Sequence, residues 1–146
     1  MQIAIASDHG GFVFKKELGK YLSELGHKTK DFGCYGEDSC DYPDFGIPAV
    51  KSVSEKENER AILICTNGIG MCMLANKVRG IRAALVYNKR TAETTRKHHC
   101  SNVLCLGGKE FPHDELKSFV KIWLETDFEG GRHERRIKKI NALDKE

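Results

Sequence analysis

Five short apolar segments recur along the chain, and each is followed by a longer stretch in which apolar residues return at helical spacing. The clearest segment, Ala61 to Cys65, is continuously apolar, which is typical of a strand covered on both faces of a sheet. Further strands are predicted at residues 3–6, 27–32, 81–87 and 102–106. Because strands that alternate with helices favour parallel pairing, the pattern indicates a parallel sheet.

Helices are predicted between these strands. Apolar residues return every three or four positions from Phe14 to Leu25, and Gly26 supplies a stop. The other predicted helices cover residues 47–56, 71–78, 91–98 and 116–124, and a basic helix follows Gly130-Gly131; residues 41–44 are predicted as a loop. We therefore predict an α/β protein: a single doubly wound, Rossmann-like domain over residues 1–146, with a five-stranded parallel sheet flanked by helices.

Composition narrows the class of protein. Hydrophobic residues make up 40% of the chain and charged residues 31%. The longest apolar run is far below the roughly 18 residues that a membrane span needs, so no membrane association is expected. The segment from Met1 to His9 lacks the basic region of a signal peptide, and we expect a cytoplasmic protein. Its six cysteines contain no CxxC pair and are expected to be reduced thiols.

Charge is concentrated near the carboxyl terminus. The net charge of +3 is too small to indicate nucleic-acid binding. Five of the eight residues from Arg132 to Lys139 are Arg or Lys, which favours either a solvated helix face or an anion site. A helix beyond the Gly130-Gly131 hinge is also well placed to pack on a partner subunit.

Candidate chemistry follows the predicted strands, because ligands of such sheets bind beyond the carboxyl ends of the strands. Asp8 and His9 follow the first strand, Cys65 ends the third, Asn88 follows the fourth and Lys109 follows the fifth. The backbone N–H groups after Cys65 are predicted to form an anion cradle, made by Thr66, Asn67, Gly68, Ile69 and Gly70.

The same helix start favours the thiolate form of Cys65, a usable base or nucleophile. The alternative is an inert buried cysteine at a strand end. A dinucleotide or Walker-type site is not predicted, since GxGxxG is absent after the first strand and no GKS or GKT occurs.

His98 and His99 end a predicted helix. One interpretation is that they only favour the helix dipole, and the other is general acid–base work. Zinc binding with Cys100 and Cys105 is not expected, because consecutive residues point their side chains in different directions. We predict no metal and no cofactor.

Several motifs together resemble ribose-5-phosphate isomerase type B, in the family shared with the galactose-6-phosphate isomerase subunits. They occur in the family's order over essentially the whole chain: Ser7-Asp8-His9-Gly10-Gly11-Phe12, Asp41-Tyr42-Pro43-Asp44, Cys65-Thr66-Asn67-Gly68-Ile69-Gly70, Ala75-Asn76-Lys77, Gly80-Ile81-Arg82-Ala83-Ala84, Asn102-Val103-Leu104 and Glu129-Gly130-Gly131-Arg132-His133.

The resemblance implies interconversion of D-ribose 5-phosphate and D-ribulose 5-phosphate through an enediolate, without a cofactor. It implies that Cys65 is the base, and we expect this thiol to react first with iodoacetamide. It implies that His98 opens the sugar ring and that the N–H groups from Asn67 to Gly70 bind the oxyanion. The other implied contacts are Asp8 and His9 with the sugar, Tyr42 in the pocket, and Arg132 and Arg136 with the phosphate.

Four residues depart from the usual family pattern: Thr66, Asn67, His99 and Lys109. His99 replaces an asparagine that contacts substrate, so a six-carbon substrate, allose or galactose 6-phosphate, is kept as an alternative. A non-catalytic phosphate-binding module is the alternative from another class. The resemblance also implies a homodimer or a dimer of dimers, with sites completed by a second subunit, and a sugar phosphate as the only other partner.

Overall fold

The protein, seen in a computed structural model that describes residues 1–145, is built on a five-stranded parallel sheet. The strands lie in the order β2-β1-β3-β5-β4. Their bounds are β1 Gln2–Ser7, β2 Lys28–Asp31, β3 Arg60–Cys65, β4 Ala83–Leu85 and β5 Val103–Gly107. The predicted parallel pairing is confirmed in all four ladders.

Helices follow the strands and cover both faces of the sheet. They are α1 Phe12–Glu24, α2 Tyr42–Ser54, α3 Ile69–Ala75, α4 Lys89–His99, α5 His113–Glu125 and α6 Arg132–Asn141, with a 3-10 turn at Ala142–Lys145. The α/β class with a doubly wound arrangement is thereby confirmed. Within residues 1–145, no helix has the length and apolar character needed to cross a bilayer.

Alternating residues of β3 divide the core into two layers. Ile62 and Ile64 pack with the buried side chains of α1 and α5. Ala61, Leu63 and Cys65 face the other way, toward α2 and α3. Both faces of the sheet are shielded from water at β3, which explains why this strand is apolar without interruption. Cys65 therefore lies on the face that α2 and α3 cover.

Three predicted boundaries are wrong, each for a local reason. Helix α2 begins at Tyr42, within the predicted loop, because Pro43 occupies the first turn, where a missing N–H is tolerated. Helix α3 ends at Ala75, because the Asn76 side chain donates to the Cys72 and Ala83 carbonyls and accepts the Ala83 N–H. Strand β4 lies at the sheet edge and has three residues rather than seven.

The strand order places a topological switch point between β1 and β3. The chain leaves β1 toward β2 on one side and leaves β3 toward β4 on the other, so the connections diverge between these neighbours. Such switch points are where doubly wound sheets bind ligands. We call the side on which the strands end at Ser7, Cys65 and Gly107 the carboxyl edge, and the opposite side the amino edge.

Candidate active site

The loops after β1 and β3 touch at the carboxyl edge. The Asp8 side chain is buried, and its Oδ1 accepts the Gly10 N–H at 2.9 Å. A Cβ atom at Gly10 would lie 2.2 Å from Thr66 Oγ1. Glycine is thus required for the two loops to approach, and this contact brings Asp8 to the same rim as Cys65.

Cys65 lies beneath a turn that glycine makes possible. Its side chain is 4% exposed, and the Gly68 N–H donates to Sγ at 3.1 Å. Gly68 has φ +82, and a Cβ there would lie 2.6 Å from Leu85 Cδ1. This donated N–H stabilises negative charge that develops on the sulfur when the thiol acts as a base.

The predicted anion cradle is smaller than the sequence implied. The Gly68 N–H is directed to Cys65, and the Ile69 N–H donates to Asn67 Oδ1 at 3.0 Å. Helix α3 has only seven residues, so it adds little dipole. The Asn67 and Gly70 N–H groups are the candidates that these internal bonds leave for an anion.

Three more predicted residues border this rim. A Cβ at Gly70 would lie 2.6 Å from Tyr42 Cζ, so the tyrosine ring covers the turn. His9 Nδ1 accepts the Cys40 N–H at 3.2 Å, which leaves Nε2 as its donor. Lys109 is exposed and donates its backbone N–H to the Thr66 carbonyl at 3.2 Å. The carboxyl-edge cluster is Asp8, His9, Tyr42, Cys65, Thr66, Asn67, Gly68, Ile69, Gly70 and Lys109.

Asn88, which also follows a strand, has a structural explanation. Its side chain accepts the Thr91 N–H at 2.7 Å, and Thr91 returns the contact in a capping box. This geometry stabilises the start of α4.

The other predicted site residues lie at the amino edge. Helix α4 starts beyond β4 and runs back along the sheet, so His98 and His99 at its end lie near the beginning of β3, where the Ala61 N–H donates to Asn102. Helix α6 packs against α4 and carries Arg132 and Arg136. We call His98, His99, Arg132 and Arg136 the amino-edge cluster.

One chain does not bring the two clusters together. Cys65 ends β3, whereas the segment after His99 meets the beginning of that strand. At about 3.3 Å per residue, the four steps from Ala61 to Cys65 span about 13 Å. Cys65 and His98 thus lie at opposite ends of the sheet in the same chain.

Two residues that the sequence analysis left without a role surround His98. The His98 and His133 rings stack with centroids 4.0 Å apart and an angle of 9°. Glu129 Oε2 lies 3.5 Å from His98 Nε2 and 3.4 Å from His133 Nε2. Both residues belong to the Glu129–His133 motif, but only the fold reveals their contact with the end of α4.

This trio is also the set of donors that could hold a metal ion. Among residues 1–145, the donor atoms of His98, Glu129 and His133 form the group that lies within 4.8 Å of one another. Imidazole binds a metal through a lone pair in the plane of its ring, and two parallel stacked rings do not direct such lone pairs at one point. The arrangement fits a shared proton better than a shared ion.

Burial and nearby cations act on the histidines at this edge. Loss of solvent, together with the charges of His98 and Arg132, lowers the pKa of His133. Burial and the neighbouring His98 likewise lower the pKa of His99. Both imidazoles therefore favour the neutral form at pH 7.

The basic residues of α6 fall into two groups. Arg135, Lys138 and Lys139 line a shallow cavity of about 500 Å³ on the outer side of the helix. Arg132 and Arg136 instead lie close enough to His133 to lower its pKa. This division favours an anion site at the second group and a solvated face at the first.

A second thiol is more accessible than Cys65. All six cysteines carry free thiols. The neighbouring buried Cys105 thiol lowers the pKa of half-buried Cys72 to about 7, and the Asn76 amide donates to the Cys72 sulfur at 3.7 Å. Cys72 thus combines exposure with thiolate character.

Comparison with known proteins places this geometry in a family. A family model described as ribose/galactose isomerase matches residues 3–140. Ribose-5-phosphate isomerase B of Escherichia coli is 35% identical over 143 residues, which cover 98% of this chain and 96% of that protein.

Solved structures agree with this assignment. A ribose-5-phosphate isomerase B of Clostridium thermocellum has a TM-score of 0.97 at 42% identity, covering 99% of this chain and 98% of that one. The enzyme of Mycoplasma genitalium, solved with bound ribulose-5-phosphate, has a TM-score of 0.94 at 41% identity, covering 99% and 97%. The chain belongs to the ribose/galactose isomerase family, which confirms the resemblance found in its motifs.

Proposed function

We propose that the protein interconverts D-ribose 5-phosphate and D-ribulose 5-phosphate through an enediolate. The observation that carries the proposal is the buried Cys65 thiol beneath a glycine turn, with a backbone N–H donated to its sulfur. The relative of known structure that binds ribulose-5-phosphate supports the choice of a pentose phosphate. The chemistry uses groups of the chain itself and needs no metal or cofactor.

In this mechanism Cys65 takes a proton from C2 of the open-chain aldose and returns it to C1, while the proton of the C2 hydroxyl passes to the C1 oxygen. Negative charge develops on the oxygen of the former carbonyl as the enediolate forms. The Asn67 and Gly70 N–H groups, which internal bonds leave available, stabilise that charge. Asp8 and His9 bind sugar hydroxyls, and Tyr42 closes the pocket over the turn.

The amino-edge cluster supplies the remaining functions. His98 opens the furanose ring, and Arg132 and Arg136 bind the phosphate through charge-assisted hydrogen bonds. Lys109 adds a positive charge at the carboxyl edge. His99 stands where the family resemblance implies an asparagine that contacts the substrate, and this departure keeps a six-carbon sugar phosphate as the second candidate.

We further propose that each site is completed by a second copy of the chain, in a homodimer or a dimer of dimers. Cys65 and His98 lie at opposite edges of one sheet, about 13 Å or more apart along the strands. The carboxyl edge of one copy would therefore meet the amino edge of its partner. Exposed apolar side chains on α3 and near α6 offer surface for such packing: Ile69, Met73, Ile140 and Leu143.

Two broader proposals concern the whole chain. Residues 1–146 form a single catalytic domain, since β3 is shared by both core layers. The protein acts in the cytoplasm, because six free thiols fit a reducing compartment.

A coupled assay tests the reaction. Turnover of ribose 5-phosphate is compared with that of allose 6-phosphate and galactose 6-phosphate at equal concentration. We expect the pentose phosphate to have the highest kcat/KM. Preference for a hexose phosphate would replace the proposed substrate, and inactivity toward all three would favour a non-catalytic binding module.

A further inference from the structure

His98 is held in a small network that extends beyond its own helix. Its ring is about one-third exposed, whereas the His133 ring stacked against it is 6% exposed. Within residues 1–145, His133 Nε2 has no hydrogen-bond partner. Glu129 approaches the Nε2 atoms of both rings through one oxygen, and its backbone N–H donates to the Lys97 carbonyl at 3.1 Å.

Several charged groups surround the stacked rings of His98 and His133, and they determine how much positive charge the two rings can carry. Lys97 and His99 face this pair from α4, Arg132 and Arg136 from α6, and Glu129 from the connecting loop. Two protonated imidazoles 4.0 Å apart would repel strongly. The Glu129 carboxylate is the anion placed to stabilise a single positive charge on the pair.

The stack also restricts the ring of His98. His133 covers one face of the imidazole, and Glu129 attracts a proton on Nε2. Because Nε2 of His98 is turned to the Glu129 carboxylate, Nδ1 is the ring nitrogen that remains to contact the substrate. Ring opening requires a proton to leave the anomeric hydroxyl and another to reach the ring oxygen as the C1–O bond breaks, so the orientation and tautomer of the imidazole matter.

We propose that Glu129 and His133 are positioning residues for His98, holding its Nε2 toward the carboxylate and presenting Nδ1 to the sugar ring. The inference rests on the proposed ring-opening role of His98. Neither residue need touch the substrate. Their effect is confined to ring opening and leaves the proton transfer at Cys65 intact.

The test separates these two steps. Turnover of ribose 5-phosphate requires ring opening, whereas exchange of a C1 proton of open-chain ribulose 5-phosphate with D₂O requires only the Cys65 step. We expect Glu129→Leu to lower kcat for ribose 5-phosphate about tenfold, a fraction of the usual general acid–base contribution, with KM little changed. Deuterium exchange should change less than about twofold, since it bypasses the step that His98 assists.

Glu134→Leu is the matched control, because Glu134 is an exposed carboxylate of α6 that pairs with Lys138. It should leave both rates unchanged. Glu129→Gln, which keeps an acceptor oxygen, should restore much of the lost turnover. His133→Asn, which removes the stacked ring, should give the same split between turnover and exchange as Glu129→Leu.

A spectroscopic readout is independent of activity. In ¹⁵N-edited NMR spectra, His98 should carry its proton on Nε2 in the wild type and lose this preference in Glu129→Leu. The titration midpoint of His133 should also move to lower pH, because Glu129 raises the pKa of His133.

Equal losses of turnover and exchange, or no loss of either, would overturn the positioning role. An unchanged His98 tautomer in Glu129→Leu would do the same. Failure of the proposed function gives a different result, since the wild-type protein would then show neither turnover nor exchange.

Discussion

Cys65 combines burial, a strand end and a donated N–H, and each of these has a different origin in the chain. The apolar run of β3 buries the thiol, and Gly68 supplies the positive φ that turns its N–H back to the sulfur. A strand-ending cysteine before glycines is visible in the sequence. The sequence alone does not reveal which N–H groups are already bonded, because that depends on the Asn67 rotamer.

Cys65→Ala is expected to fold normally and to lose isomerase activity by several orders of magnitude, because no neighbouring group replaces the base. The loss is measured in the coupled assay with ribose 5-phosphate, and folding by thermal unfolding. Cys72→Ala, a matched change seven residues along the chain, should retain activity. Substantial turnover by Cys65→Ala would remove the thiolate mechanism.

Cys72 is expected to be alkylated by iodoacetamide before Cys65 at pH 7, which reverses the order that the sequence indicated. Its pKa of about 7 makes roughly half of this thiol a thiolate at that pH, while Cys65 is 4% exposed. Lowering the pH to 6 should slow labelling, because the thiolate fraction falls. Mass spectrometry of the labelled peptides measures the order.

The role of Cys105 can be checked in the same experiment. Cys105→Ala removes the buried thiol that lowers the pKa of Cys72, so labelling at pH 7 should slow several-fold. Faster or unchanged labelling would show that another group stabilises the thiolate.

Helix α6 illustrates how far an element can be predicted. Its basic character and its start after Gly131 follow from the sequence, and its buried stripe is formed by His133 and Ile137. The stacking of His133 on α4 is a contact between distant segments, and no local pattern encodes it. The same limit explains the early end of α3, which depends on bonds between Asn76 and the β4 backbone.

Arg136→Ala is expected to raise KM for ribose 5-phosphate by about tenfold or more, because one charge-assisted contact to the phosphate is lost. Lys139→Ala, on the cavity side of the same helix, should change KM less than about twofold, as its charge is solvated. Steady-state kinetics at fixed ionic strength compare the two. Equal effects would indicate a diffuse basic face rather than a phosphate site.

At the scale of the whole molecule, the sheet separates two sets of chemical groups. The α/β class, the parallel pairing and the residues of both clusters could be predicted from periodicity and motifs. The position of His98 relative to Cys65 could not, since it depends on α4 returning to the amino edge. The motifs imply a site completed by a second subunit, but they do not indicate which of these residues the partner supplies.

Mixing inactive variants is expected to restore activity only when their defects lie at opposite edges. Co-expressed Cys65→Ala and His98→Ala chains form mixed dimers for about half of the total, each with one intact site of two, so recovery should approach about a quarter of wild-type activity. His98→Ala with Arg136→Ala should gain nothing beyond the residual activity of the Arg136→Ala chains, because both defects lie at the amino edge. The activity of the unseparated mixture provides the measurement, and mixed dimers purified by two different tags should show about half of the wild-type activity.

Recovery by the second pair would assign His98 and Arg136 to different subunits. Lack of recovery by both pairs, despite proven mixed dimers, would place each site within a single chain.

The separation of the two edges also governs genetic dominance. A chain with Cys65→Ala alone inactivates one site of any dimer that it joins. The total isomerase activity should therefore fall in proportion to the fraction of mutant chains. A chain that also carries His98→Ala inactivates both sites of a dimer with a wild-type partner, because it supplies Cys65 to one site and His98 to the other. With equal amounts of each chain, about a quarter of the activity should remain instead of about a half. The double variant is therefore expected to be dominant negative, and measuring activity against the ratio of co-expressed chains distinguishes the quadratic decline from the linear one.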